Sequence, residues 1–175
     1  MPAYTALNAY ASRGKKKFSC VRISPRNDNI CAKLTMCDGS KLSYVDEIRY
    51  LGVFVTLSRK FKCSIDNAVR SFHRTANRIF GKVGRLRLAS EEVVVQLLLH
   101  KCMPILLYAL EVCALDKRSV QSLDFTINRF FMKLFRTSSL VTVRDCQSFF
   151  GVDLPSIVLA KRFDKFVDRY GNTYT

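Results

Sequence analysis

Ile48-Arg49-Tyr50-Leu51-Gly52-Val53-Phe54-Val55 stands just ahead of a segment, residues 58 to 88, that carries nine Lys or Arg and a single acid, Asp66. The octapeptide is rich in β-branched and aromatic residues and reads as one strand. From Ser64 the apolar period changes. Ile65, Ala68, Val69, Phe72, Ala76, Ile79, Phe80 and Val83 recur at the spacing of a helix with one buried stripe. Ser64 suits the N-cap. Arg70, Arg74, Arg78, Lys82 and Arg85 advance along the opposite side at roughly 100° per residue. A β-rich start thus hands over to basic helices. The expected class is α+β, a small antiparallel sheet followed by a bundle of about five helices, with residues 1–57 and 58–175 as its two parts.

Upstream of the octapeptide, Phe18-Ser19-Cys20-Val21-Arg22-Ile23 alternates apolar and polar side chains, as a half-buried strand does. Lys15, Lys16 and Lys17 precede or open it, and Pro25 ends it. A second strand is expected over Cys31–Cys37. Asp38-Gly39 is a tight-turn pair that returns the chain through Lys41–Val45. Met1 to Gly14 has weak periodicity.

Downstream, Ser90 is placed to cap a second helix, with Glu91 and Glu92 in the first turn where the helix dipole favours acids. The run Val93–Leu115 is apolar nearly all round, so the expectation is a buried helix pair that Pro104 kinks or divides. Gln96, His100, Lys101, Pro104 and Glu111 within it argue against a membrane span. Asp116 caps a third helix with the stripe Val120, Leu123, Ile127, Phe130, Phe131 and Leu134. Arg118, Arg129, Lys133 and Arg136 share another of its faces, and Phe125 and Met132 between them suggest cover by another element. A short helix over Leu140–Phe150 stops at Gly151. Asp153 and Pro155 open a last helix, with Ile157, Ala160, Phe163, Val167 and Tyr170 as its expected buried positions.

The 175 residues are 49% hydrophobic, enough for a real core, and carry a net charge of +15. Such an excess favours a polyanion as partner. The seven cysteines are odd in number and form no C-x-x-C pair, which reads as reduced thiols in an intracellular, non-secreted protein. His73 and His100 have no Cys or carboxylate constellation and read as structural. Phosphate-binding, dinucleotide-binding and zinc-protease motifs are all lacking. No Asp-Asp pair occurs. Asp46-Glu47 are adjacent, and neighbours on a strand point to opposite faces, so they make a poor metal pair. No catalytic residue, metal ligand or cofactor is therefore assigned.

In order along the chain, Lys16-Lys17-Phe18-Ser19-Cys20-Val21-Arg22-Ile23-Ser24-Pro25-Arg26, Asp38-Gly39, Ile48–Val53, Leu107-Tyr108-Ala109-Leu110-Glu111 and Arg136-Thr137-Ser138-Ser139 carry a resemblance. Their succession, over roughly residues 15 to 170, resembles the end of the palm and the thumb of a LINE-type (non-LTR retrotransposon) reverse transcriptase. The resemblance implies a palm remnant over 1–57 and a thumb over 58–175. It implies that Tyr50, Leu51 and Gly52 belong to a primer-gripping region and that Lys17 lies on the family's lysine-bearing strand. It also implies that the family's catalytic aspartates, with their divalent metals, belong upstream of the matched region.

The expected function is non-catalytic binding of a DNA or RNA backbone, as primer-template duplex or RNA/DNA hybrid, through Arg70, Arg74, Arg78, Lys82, Arg85 and Lys17. Two other readings stand beside it. One is the C-terminal part of an active RNA-directed DNA polymerase whose catalytic palm lies outside this chain. The other is a helical protein-interaction module. A palm remnant short of strand partners would also leave an edge open to self-association.

Overall fold

The computed structural model describes residues 11–12, 15–16, 19–23, 33–37, 39–84, 90–113 and 115–170. Lys17, Phe18, Pro25, Cys31, Asp38 and Arg85 lie outside the described residues. The protein is α+β, and it divides into two compact units, Met1–Ser64 and Ile65–Thr175.

In the first unit, β1 (Ala11–Ser12) pairs antiparallel with β2 (Lys15–Lys16). The strand expected over Phe18–Ile23 is reduced to β3 (Ser19–Cys20), which pairs with β4 (Ser43–Tyr44). That pairing is parallel, contrary to the antiparallel order expected throughout. The turn at Gly39 is present. Met36 N–H donates to Ser40 O at 2.8 Å and Leu42 N–H to Leu34 O at 2.9 Å, but the ladder shrinks to the bridge Thr35–Lys41. Gly39 has φ of 78°, the left-handed conformation that such a turn requires.

The octapeptide Ile48–Val55 is a hairpin rather than one strand. β5 (Glu47–Tyr50) and β6 (Val53–Thr56) pair antiparallel, with Tyr50 opposite Val53. Leu51 and Gly52 make the two-residue turn, with φ of 46° and 88°. Two successive positive φ values match the right-handed twist of the strands, as in a type I′ turn. Leu51 is an unfavourable residue there, which is why the turn is hidden in the sequence. β7 (Cys63–Ser64) adds to the other edge of β6, so the sheet order is β5-β6-β7. Residues 58–64 thus continue the sheet unit beyond the 57/58 boundary expected from composition. Ile48 and Val55 face each other and pack with Val21, while Ile23 and Val45 flank this small core. Arg49 and Phe54 occupy the other face, the guanidinium 5.7 Å from the ring centroid.

The second unit opens with α1 (Asp66–Ile79), continued by a wider π-type turn over Phe80–Gly84. Ser64 belongs to β7, so the N-cap is Ile65, which offers no side-chain oxygen. The expected apolar stripe turns inward. Ile65, Phe72 and Ala76 are buried, and Ala68, Val69, Ile79, Phe80 and Val83 are half-buried.

α2 (Glu91–Leu97) and α3 (Met103–Leu106) are the two ends of one helical stretch, joined by a π-type turn over Leu98–Cys102. Met103 N–H reaches back to Leu98 O. This widening sits just ahead of Pro104, which then occupies the first turn of α3, where a missing N–H costs little. Ser90 is the N-cap in position, but its side chain makes no capping bond. The stretch is not buried all round. Val94, Val95, Leu98, Cys102, Met103 and Leu106 are buried, whereas Val93, Ile105 and Tyr108 are exposed.

α4 (Lys117–Phe135) packs against α1, α5 (Leu140–Phe149) and α6 (Pro155–Tyr170). Counting α2 and α3 as one, the described residues form five helices. Asp116 caps α4 by accepting from Ser119 N–H at 2.8 Å. Leu123, Ile127, Phe130 and Phe131 are buried in the expected stripe. Gln147 of α5 is buried and donates to Asn128 Oδ1 at 2.9 Å, a polar pair that holds α5 in register on α4. α5 ends as expected at Gly151, whose φ is 61°. Val152 N–H bonds Gln147 O, and Gly151 N–H bonds Ser148 O, the two bonds of a Schellman cap.

The last helix reverses its expectation. Ile157, Ala160, Phe163, Val167 and Tyr170 are all exposed, and Pro155 and Leu159 are buried instead. α6 lies on α4 and on the 3-10 turn Leu110–Val112, and every residue from 163 to 170 is exposed.

Candidate nucleic-acid interface

α1 is amphipathic by sequence, and burying Phe72 forces its cations outward. Arg70, Arg74, Arg78 and Lys82 are all exposed, each about 6 Å along the axis from the next. Arg70 donates to Asn67 Oδ1 at 3.0 Å. Asp66 is the one acid of α1.

α4 adds a second basic edge. Phe72 and Phe130 meet edge-to-face with centroids 6.4 Å apart, which sets α4 beside α1. Lys133 Nζ then lies 3.0 Å from Asn77 Oδ1 and 4.6 Å from the centroid of Phe80. Between the helices runs a groove of about 670 Å³. Its walls are His73 and Asn77 on one side and Arg129, Met132 and Lys133 on the other, over a floor of Ala76 and Phe130. No acid lines it. Arg129 stands at 5.9 Å over the ring of Phe125, which is exposed rather than covered by another element. Met132 is half-buried on the groove wall. An exposed arginine on an aromatic keeps its fork of donors available to phosphate.

Of the residues expected to bind, Arg70, Arg74, Arg78 and Lys82 are exposed on α1 and its continuation but none is among the residues that line the groove, while Lys17 and Arg85 lie outside the described residues. Tyr50, Leu51 and Gly52 belong to the other unit, at the exposed tip of the β5–β6 hairpin. Sequence reading understated His73 and Asn77. Their signal is position: each precedes a cation of the row, Arg74 or Arg78, and the pair is spaced four apart.

Asp46 and Glu47 are adjacent and exposed. Among the described residues no group of three or more His, Cys, Asp or Glu is placed to hold a metal ion. No helix there is long and apolar enough to cross a membrane. No disulfide joins the described cysteines. Comparison with family models, with curated proteins and with solved structures finds no match to this chain.

Proposed function

We propose that this protein binds nucleic-acid backbone without catalysing its synthesis, as the thumb of a LINE-type reverse transcriptase accompanied by the closing strands of a palm. One observation carries the proposal: six exposed cations, Arg70, Arg74, Arg78, Lys82, Arg129 and Lys133, stand on two packed helices that share a groove without acids. Charge of one sign on a rigid helical pair follows a phosphate chain with little regard to base sequence. The preferred ligand is a duplex or an RNA/DNA hybrid. The exposed Tyr50-Leu51 tip offers an apolar contact to a strand end, and the edges of the short three-strand sheet are the sites for self-association.

The test is the salt dependence of binding to a short labelled duplex. Affinity falls steeply as salt rises. Changing Arg70, Arg74 and Arg78 together to Ala lowers the slope of log K against log salt by roughly 2 to 3, for any sequence. No binding at low salt, or an unchanged slope in the triple variant, refutes the proposal. Binding of a protein partner that a polyanion does not displace would favour the interaction-module reading. An in-frame Asp-Asp loop upstream in the gene would favour an active polymerase.

A further inference from the structure

α4 carries a surface stripe of mixed chemistry. Arg118, Phe125, Arg129, Met132 and Arg136 fall within about a sixth of the helix circumference at 3.6 residues per turn. All but the half-buried Met132 are exposed. Phe125 is 56% exposed, and the guanidinium of Arg129 stands 5.9 Å from its ring centroid. Phosphate binding accounts for the arginines and gives no role to a ring held between them. An unpaired base does give it one, because any base can stack on an aromatic face. The bases of a duplex are stacked on one another and turn only sugar and phosphate outward.

The stripe borders the α1–α4 groove, and the size of that groove favours the same form of nucleic acid. Lys133 Nζ reaches Asn77 Oδ1 across it at 3.0 Å, so the walls stand within the span of one lysine and one asparagine side chain. One turn back on each helix, His73 and Arg129 continue the two walls. A duplex is far broader, since its major groove alone is about 12 Å wide, and it can rest only on the rims. The groove volume of about 670 Å³ is that of a pocket for one small organic molecule, here a single nucleotide. Ala76, Phe130 and Met132 give it a carbon lining that accepts any base, and Arg129 and Lys133 offer charge to the flanking phosphates. Arg118 and Arg136 carry that charge past both ends of the groove. They lie eighteen residues apart, about 27 Å of helix axis, which suits a strand and not a free nucleotide.

We infer, resting on the nucleic-acid reading above, that the α4 stripe and the groove beside it bind single-stranded nucleic acid without base preference. One base stacks on Phe125, an adjacent nucleotide sits over the carbon lining of the groove, and the phosphates lie on Arg118, Arg129, Lys133 and Arg136. The exposed row Arg70, Arg74 and Arg78 on α1 is left for the duplex.

The experiment follows the anisotropy of three labelled dodecamers: a deoxythymidine strand, which does not self-pair, an abasic strand, and a blunt duplex. The deoxythymidine strand binds about tenfold tighter than the abasic one, as stacking of a base on an aromatic ring provides. Phe125→Ala weakens the deoxythymidine strand by about tenfold and leaves the abasic strand and the duplex unchanged. Phe125→Tyr, which keeps the ring, restores the affinity. Stacking is not screened by salt, so the effect of Phe125→Ala is the same at low and high salt, whereas that of Arg129→Gln shrinks as salt rises. Equal binding of the deoxythymidine and abasic strands by the unaltered protein overturns the inference without any variant. So does a Phe125→Ala protein that binds deoxythymidine as before, or one that loses duplex and strand affinity alike. Salt-dependent duplex binding without any dependence on bases in the single strand refutes this site and leaves the backbone reading standing. Base-dependent strand binding, with a duplex salt slope unchanged by replacing Arg70, Arg74 and Arg78, does the reverse.

Discussion

The Asp124 carboxylate of α4 accepts a hydrogen bond from the backbone N–H of Ser156, at 2.9 Å, and so caps the first turn of α6 from another helix. Asp153, the cap expected from local sequence, instead pairs with Lys161 at 2.6 Å on the surface. The first turn of a helix has N–H groups without intrahelical partners, and a nearby carboxylate also meets the positive end of the dipole. Asp124→Ala should therefore cost about 1 kcal/mol of stability. Asp153→Ala should cost no more than about 0.5 kcal/mol, as a solvent-exposed pair does. Urea denaturation of the two variants checks this, and equal losses would contradict it.

Leu51, Ala109 and Arg136 carry a side chain where a left-handed backbone favours Gly or Asn. Leu51 has φ of 46° and is 71% exposed, so replacing it removes almost no packing. Leu51→Asn, which creates the favoured Asn-Gly turn, should stabilise the hairpin by roughly 0.5 to 1 kcal/mol. Arg136, with φ of 51°, ends α4, and its N–H bonds Met132 O. Arg136→Gly should stabilise by a similar amount. Gly151→Ala should do the opposite, by about 1 kcal/mol. A Cβ there meets nothing within 4 Å, so the cost is purely conformational. Thermal melts of the three variants decide the signs.

Burial pushes the Cys102 thiol up to about 11 from 9.0. The folded state thus holds this proton more tightly than the unfolded chain. Stability from the neutral buried thiol is fully present below pH 9 and is lost as pH rises from there toward 11. The stability difference between the unaltered protein and Cys102→Ala should shrink across that window and stay constant from pH 6 to 8. At pH 8, a thiol reagent followed by mass spectrometry should label exposed Cys37 quickly and Cys102 only upon unfolding. Rapid labelling of Cys102 would refute its burial.

The chain should incorporate no nucleotide on a primed template with magnesium or manganese. Two-metal nucleotidyl transfer needs carboxylates that hold both ions, and the sequence has no Asp-Asp pair. Attraction of a triphosphate by Lys15 and Lys16 does not align an attacking hydroxyl. Primer extension by homogeneous protein, abolished by a chelator, would contradict this.

The amphipathic helices were legible wherever one stripe alone was apolar. α1 shows this best: Phe72 inward and Arg70, Arg74 and Arg78 outward follow from a 3.6-residue period. The start of α4 at Asp116 and the stop of α5 at Gly151 were legible for the same local reason, since a cap is a bond within one turn. The groove was less so. Its second wall, Arg129 and Lys133, comes from a helix some fifty residues away, and the contact of Lys133 with Asn77 has no local signature.

Local chemistry in this sequence accounts for the α+β class, the helix spans and the outward cations, because period, cap and turn residues act over a few neighbours. It does not account for the Leu51-Gly52 turn, where strand pairing overrides the preference of Leu51 for negative φ. Nor does it account for the rotation of α6. That helix has apolar residues on more than one side, and which side is buried depends on α4, through the Asp124–Ser156 bond and the burial of Pro155 and Leu159. Choices between two apolar faces are made by the partner that arrives, and the partner is set by packing across the chain rather than by any window along it.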